Sequence, residues 1–197
     1  MGSQIAIKDH QQRALVLFVI ALASIAAWQT HIGSLVLYPF TILATWFHEM
    51  GHGIAAMLTG GSFEHLVIYP DGSGYAQSLI PADSARLTNA FIAACGPLGP
   101  ASAGSMLIVS SRKTKSTRFA LGLLGAVLLI STVIWVRSAI GWIVLPGLGL
   151  VILAAALRAP PQVQQFVIQL LGVQACISVW RQFGYLFSTG GVGPSSM

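Results

Sequence analysis

The sequence predicts an all-α multi-pass membrane protein with about five to six membrane helices and one short β-hairpin. Of its 197 residues, 55% are hydrophobic and only 8% are charged, with a mean hydropathy of +0.77. Soluble domains carry about 25% charged residues. Several uncharged runs approach the length of about 20 residues that a membrane-spanning helix needs. Between two of these runs, two short extended segments flank a Pro-Asp-Gly turn.

The charged residues are few and unevenly distributed. The formal net charge is +5, and the five acids are Asp9, Glu49, Glu64, Asp71 and Asp83. An excess of Lys and Arg in so apolar a chain is typical of topology marking in a lipid bilayer and does not indicate a nucleic-acid partner. The candidate cytoplasmic loop is the most basic one, which contains Arg112, Lys113, Lys115 and Arg118. Basic residues near the N-terminus favour the opposite orientation, so absolute topology stays open.

The first predicted span runs from Ala14 to Ala27 without a charge. Together with the basic residues before it, this run resembles a signal peptide, but no cleavage site follows and more spans come after it. We therefore expect a retained anchor. After a polar break at residues 29–31, uncharged residues from Ile32 to Phe47 begin a long helix that continues to Leu58. The glycines in Thr59-Gly60-Gly61 are typical of a helix C-terminus.

That helix contains His48-Glu49-Met50-Gly51-His52. Residues four apart share one face of a helix, so the two imidazoles can bind one metal ion. Zn²⁺ with two His ligands and open positions polarises a water, and a neighbouring Glu can move its proton to a leaving amine. This is the chemistry of peptide hydrolysis. The alternative is a helix end at the membrane interface whose His and Glu are only solvated.

A metzincin is excluded because Leu58 stands where its third His would be. Beyond the helix, residues 63–69 and 75–80 predict the two strands of the β-hairpin. Such a hairpin beside a metal could bind an extended peptide by strand addition, and an ordinary surface hairpin is the equal alternative. The next predicted span, Thr88 to Ser110, contains Pro97 and Pro100, which we expect to interrupt its hydrogen bonding.

The remaining chain is predicted to be helical. Spans are expected from Phe119 to Val136 and from Ala139 to Leu157, and a helical pattern resumes from Val163 to Trp180 after two prolines. Residues 188–197 have loop composition. Two cysteines, Cys95 and Cys176, lie in apolar runs far apart, so we expect small hydrophobes and no disulfide. Residues 1–197 are interpreted as a single integral-membrane domain.

The His-Glu-x-x-His helix, its glycine-rich exit, the hairpin and Gly96-Pro97-Leu98-Gly99 resemble the site-2 protease family of intramembrane zinc metalloproteases. The likeness is greatest to its small bacterial and plant-type branch and covers residues 35–110 with specific motifs. It implies His48 and His52 as zinc ligands, Glu49 as general base and acid, and Gly96-Pro97 as part of a helix near the site. The implied substrate is a peptide or a membrane protein, and the expected location is the bacterial cytoplasmic membrane.

The resemblance also implies a third zinc ligand, an Asp on a later membrane segment, yet no acid follows Asp83. Asp71 resembles the family's late Asp-Gly motif and is a candidate, although it lies only nineteen residues after His52 in a predicted turn. Asp83 and Glu64 rank below it, and His65 is expected to be a surface histidine. The third ligand and the substrate-binding residues therefore stay unassigned.

Because the third zinc ligand is unassigned, three hypotheses about function stay open. The first is an endopeptidase whose chain is truncated before the third ligand. The second is a catalytically inactive pseudoprotease that binds metal or client helices and does not cut them. The third is a transporter or metal carrier that uses His48 and His52 along a pathway, although the lack of other acids in the spans argues against it.

Overall fold

The structure, a computed structural model, describes residues 2–82 and 84–187. Six helices occur in this part of the chain: α1 (Gly2–Trp28), α2 (His31–Leu58), α3 (Arg86–Ser110), α4 (Thr114–Trp135), α5 (Ala139–Arg158) and α6 (Pro161–Phe187). Two strands, β1 (Ser62–Ile68) and β2 (Gly74–Leu79), lie between α2 and α3. The predicted fold class is confirmed. Two of the predictions, Asp83 as a ligand candidate and a loop at residues 188–197, lie outside the described residues.

Four of the described helices, α3 to α6, are long and apolar enough to cross a membrane. The segment of α1 from Ala14 and all of α2 pass the same test only as a pair that bends by 116°, which gives up to five spans. The predicted polar break is the position of this bend. Thr30 is the N-cap of α2, and its hydroxyl accepts a hydrogen bond from the Gly33 amide at 3.0 Å, which satisfies one of the free donors at a helix start.

The core forms where α2 meets α4 and the hairpin. Ile42 and Trp46 of α2 are buried there with Leu66 of β1 and Leu128 of α4. The indole N–H of Trp46 donates to the hydroxyl of Ser131 at 3.0 Å. This hydrogen bond fixes α2 against α4 within an otherwise apolar region, where an unpaired indole donor would be costly.

The third helix differs from expectation at its prolines. Pro97 and Pro100 lie inside a continuous α3, so the helix is not broken there, although neither proline can donate a backbone hydrogen bond. Cys95 and Cys176 are free thiols, as predicted, and Cys95 packs against Ala55 and Ala56 of α2.

The hairpin is the predicted one, and its turn rests on α2. The strands pair antiparallel, with Leu66 opposite Ala76 and Ile68 opposite Gly74. At the turn, Gly72 has φ +87°, a conformation that favours glycine. The hydroxyl of Tyr38 donates to the Pro70 carbonyl at 2.8 Å, which ties the turn to the same helix that carries the histidines.

Candidate active site

Two imidazoles of α2 converge on one point. The Nε2 atoms of His48 and His52 lie 3.1 Å apart, close to the spacing of roughly 3.3 Å that two tetrahedral ligands of one zinc ion adopt. Nδ1 of His52 lies 2.8 Å from the Ile92 carbonyl of α3. A carbonyl only accepts, so Nδ1 of His52 is the donor in this contact, and Nε2 is the nitrogen of His52 that faces His48. The two Nε2 atoms are therefore placed as two ligands of one metal ion would be.

Glu49 lies on the side of α2 that faces the hairpin. Its side chain is only 6% exposed. The Ala76 backbone N–H donates a hydrogen bond to its carboxylate. The Thr45 hydroxyl, one turn earlier on α2, donates to the Gly72 carbonyl at the hairpin turn. The carboxylate is thus held at the junction of the motif helix and β2.

Helix α3 closes on the histidines through small residues. Gly96 has no room for a side chain, because a Cβ there would overlap the imidazole of His52. At Gly51, inside the motif, a Cβ would strike the carbonyl of Cys95. The structure therefore places the Gly96-Pro97 segment against the histidines, as the family resemblance implies.

The two histidines and Glu49 open onto one cavity of about 670 Å³. Its wall is formed by α1, α2, α3, α6 and the hairpin turn. Beside the motif residues, the cavity is lined by Trp28, Ala93, Pro97, Gln174 and Ser178. Cavities of 300–1,000 Å³ hold ligands of drug size.

Asp71 and Glu64, the described candidates for a further ligand, make other hydrogen bonds. Asp71 lines the cavity, but its Oδ1 accepts hydrogen bonds from the Ser73 hydroxyl at 2.7 Å and the Ser73 amide at 2.9 Å. These two hydrogen bonds lower the pKa of Asp71, and the bond from the hydroxyl has the larger effect. Glu64 is exposed and accepts from Ser62, and His65 packs edge-on to Tyr75. Within residues 2–82 and 84–187, no three His, Cys, Asp or Glu side chains form a metal-holding group.

Comparison with family models adds to this geometry. A model described as Peptidase M50B-like matches residues 15–196, nearly the whole chain. The chain belongs to the Peptidase M50B-like family. This is the site-2 protease family, as the motifs indicated, and its members are metalloproteases of membranes, so membership supports a protease. No curated protein and no solved structure matches the chain.

Sequence reasoning missed the polar residues that line the cavity from other helices. Gln174 of α6 is 4% exposed, and its amide donates to Ser24 of α1 at 2.9 Å. Its Oε1 accepts from the indole of Trp28 at 3.4 Å. A glutamine within an apolar helix was the available signal, because buried polar groups in a membrane need partners. No sequence pattern indicated which helix would supply those partners.

Proposed function

We propose that the protein is a zinc-dependent intramembrane endopeptidase. It hydrolyses peptide bonds in or near transmembrane segments of other membrane proteins, in a bacterial cytoplasmic membrane. The observation that carries this proposal is the convergence of His48, His52 and Glu49 on one cavity within an apolar helical protein. Membership of a metalloprotease family supports it.

In this proposal His48 and His52 hold the zinc ion through Nε2. The hydrogen bond from His52 to the Ile92 carbonyl orients one imidazole, and contact with Gly96 limits its rotation. When bound, zinc supplies a Lewis acid that lowers the pKa of a water and polarises the scissile carbonyl. Asp71 stays the candidate for a further ligand among the described residues, since it is the other acid at the cavity.

Glu49 serves as general base and then as general acid. Its carboxylate takes a proton from the attacking water, and the same oxygen returns that proton to the leaving amine. The Ala76 amide holds the carboxylate beside the substrate path. Burial keeps bulk water away from the group, so the proton passes between Glu49 and the reacting atoms.

The hairpin offers a binding edge for the substrate backbone. Leu66 and Ala76 are paired, and the Leu66 carbonyl turns away from β2 to accept from the Arg137 amide at 2.9 Å. In an antiparallel ladder, the N–H and C=O of Ala76 must then point away from β1. That outer edge of β2 reaches Glu49. A substrate strand that joins this edge beside Ala76 runs past the carboxylate, with alternate carbonyls bonded to β2 and the intervening carbonyls pointing away from it.

The direct test is Glu49→Gln in zinc-loaded, detergent-solubilised protein. The probe is β-casein, an unfolded protein whose backbone is free to add as a strand. We expect cleavage to fall at least ~100-fold, the usual contribution of a general base, while zinc content stays unchanged. Glu64→Gln is the matched control, because Glu64 is exposed on β1 and does not line the cavity. Undiminished cleavage by Glu49→Gln overturns the assignment.

The same purified protein, studied in detergent and after reconstitution into proteoliposomes, separates the rival hypotheses. A pseudoprotease binds zinc but leaves β-casein intact in the wild-type protein as well as in Glu49→Gln. A zinc carrier moves the ion across proteoliposomes without any cleavage, and His52→Ala abolishes that movement. The endopeptidase cleaves, and its cleavage stops with a chelator and resumes when zinc is restored.

A further inference from the structure

The connection between α4 and α5 lies along the outer edge of β1. It consists of residues 136–138, and Val136 forms a parallel bridge with Leu66 of β1. The Arg137 amide donates to the Leu66 carbonyl at 2.9 Å. Val136 and Leu66 are both fully buried. This short connection therefore acts as a third strand for the hairpin and closes the edge that would otherwise be free.

The hydroxyl of Ser138 does not cap the helix that the residue begins. Ser138 is the N-cap of α5, where a serine hydroxyl normally accepts a bond from an amide of its own helix. No such capping bond is present. Its hydroxyl instead accepts from the Ile68 amide at the end of β1, at 3.0 Å. The Ser138 side chain is thus bonded to the hairpin and not to its own helix.

Trp135, the last residue of α4, links the same connection to the motif helix. Its indole N–H donates to the Phe63 carbonyl at 3.1 Å, and its ring stacks on Phe63 with centroids 5.2 Å apart and planes 18° from parallel. The Phe63 ring also lies against Gly53, where a Cβ would overlap it. Gly53 directly follows His52. A continuous set of contacts therefore runs from α4 through β1 to the helix that carries the histidines.

We propose that Trp135 and residues 136–138 form a clamp that positions the hairpin for cleavage, with Ser138 as a positioning residue. The clamp occupies the outer edge of β1 and so leaves β2 as the edge that a substrate strand can join. It also sets the position of β2 relative to the Glu49 carboxylate, and this position decides which peptide bond of a bound substrate faces the carboxylate. This inference rests on the proposed function, because it assigns a role in the same reaction.

Loss of the Ser138 hydroxyl has a defined local consequence. Ile68 is only 1% exposed, so its amide would be left buried without an acceptor. A buried unpaired donor favours movement of the strand end toward water. Such movement shifts Gly74, the partner of Ile68, and Gly74 lies beside Glu49. The register of an added strand against the carboxylate should therefore become less well defined.

The test compares Ser138→Ala with Thr117→Val, which also removes one hydroxyl from a buried site on α4. Thr117 donates to the Ser110 carbonyl at 3.0 Å and lies near the start of α4, at the opposite end of that helix from Trp135. Ser138→Thr, which keeps the hydroxyl, is the rescue variant. With β-casein as probe, we expect Ser138→Ala to raise KM about fivefold with little change in kcat, the order of one lost hydrogen bond. Mass spectrometry should also show additional cleavage sites.

A residue that only stabilises the fold would lower activity without adding cleavage sites, and Thr117→Val should behave in that way. Trp135→Phe, which removes the bond to Phe63 but keeps an aromatic ring, is the second variant if Ser138→Ala does not fold. Hydrogen exchange at the Ile68 amide gives a readout that needs no activity. Faster exchange there, with unchanged zinc content, supports the clamp even if no protein cleaves. Unchanged exchange and unchanged cleavage sites in both variants overturn it, whatever Glu49→Gln shows.

Discussion

Replacement of Gly96 by alanine tests how closely α3 holds the histidines. A Cβ at this position lies 2.8 Å from Cδ2 of His52 and nearer still to Nε2 and Cε1. Carbon atoms in contact prefer 3.5–4.0 Å, so the imidazole must move by about 1 Å. The ring has little space to retreat, because its Nδ1 is held by the Ile92 carbonyl at 2.8 Å.

A displacement of that size exceeds what a zinc site tolerates. Ligand distances hold to about 0.2 Å, and disturbed supporting groups typically cost 10-fold to 100-fold in metal affinity. We therefore expect Gly96→Ala to bind zinc about 10-fold to 100-fold more weakly. Cleavage of β-casein at saturating zinc should fall about 100-fold, the typical cost of 1 Å of misplacement. A competitive chelator titration and an initial-rate assay measure the two quantities.

Two controls make this result specific. Gly147→Ala places the same substituent on α5, where no atom lies within 4 Å, so zinc affinity should not change. Gly99→Ala forces α3 away from the Phe47 carbonyl without touching an imidazole. It should lower thermal stability more than zinc affinity. If Gly96→Ala binds zinc and cleaves like the wild-type protein, the histidines are not held by α3 and the geometric reasoning is wrong.

Two further variants probe the cavity walls. Gln174→Leu removes the hydrogen bonds of α6 to Ser24 and to the indole of Trp28, so the free energy of unfolding in detergent should fall by about 1 kcal/mol. An unchanged free energy of unfolding would contradict that role. The pKa of Asp71 is lowered by Ser73, so its contribution to the turn is present above the ordinary Asp pKa and is lost as the pH falls through the lowered value. The Ser73 amide should therefore exchange faster, once the pH has fallen below the ordinary Asp pKa, than extrapolation from neutral pH gives, and Asp71→Asn should remove this dependence; equal pH profiles for the two proteins would contradict it.

Local signals predicted much of the fold. Uncharged runs located the helices because hydrocarbon excludes charge, and the Pro-Asp-Gly turn located the hairpin because Gly72 needs a positive φ. Helix ends were less predictable. Helix α1 begins at Gly2 and α6 continues to Phe187, beyond the uncharged and apolar runs from which the two helices were predicted.

The site was predictable where it depends on spacing within one helix. His48 and His52 share a face by helical periodicity, and the structure brings their nitrogens together. Contacts between distant segments were not predictable. Nothing near Ser138 in the sequence indicates that its hydroxyl accepts from Ile68, seventy residues away. Likewise, Asp71 reaches the cavity because the hairpin folds back on α2, which pattern alone does not show.

The central claim is that His48 and His52 bind zinc through Nε2. X-ray absorption at the zinc edge of the purified protein tests it most directly. We expect one zinc per chain with two imidazole nitrogens at about 2.0–2.1 Å. His48→Ala and His52→Ala should each remove one imidazole from the spectrum, whereas His65→Ala should leave it unchanged. A spectrum without imidazole ligands, or one that both alanine variants leave intact, would contradict the account.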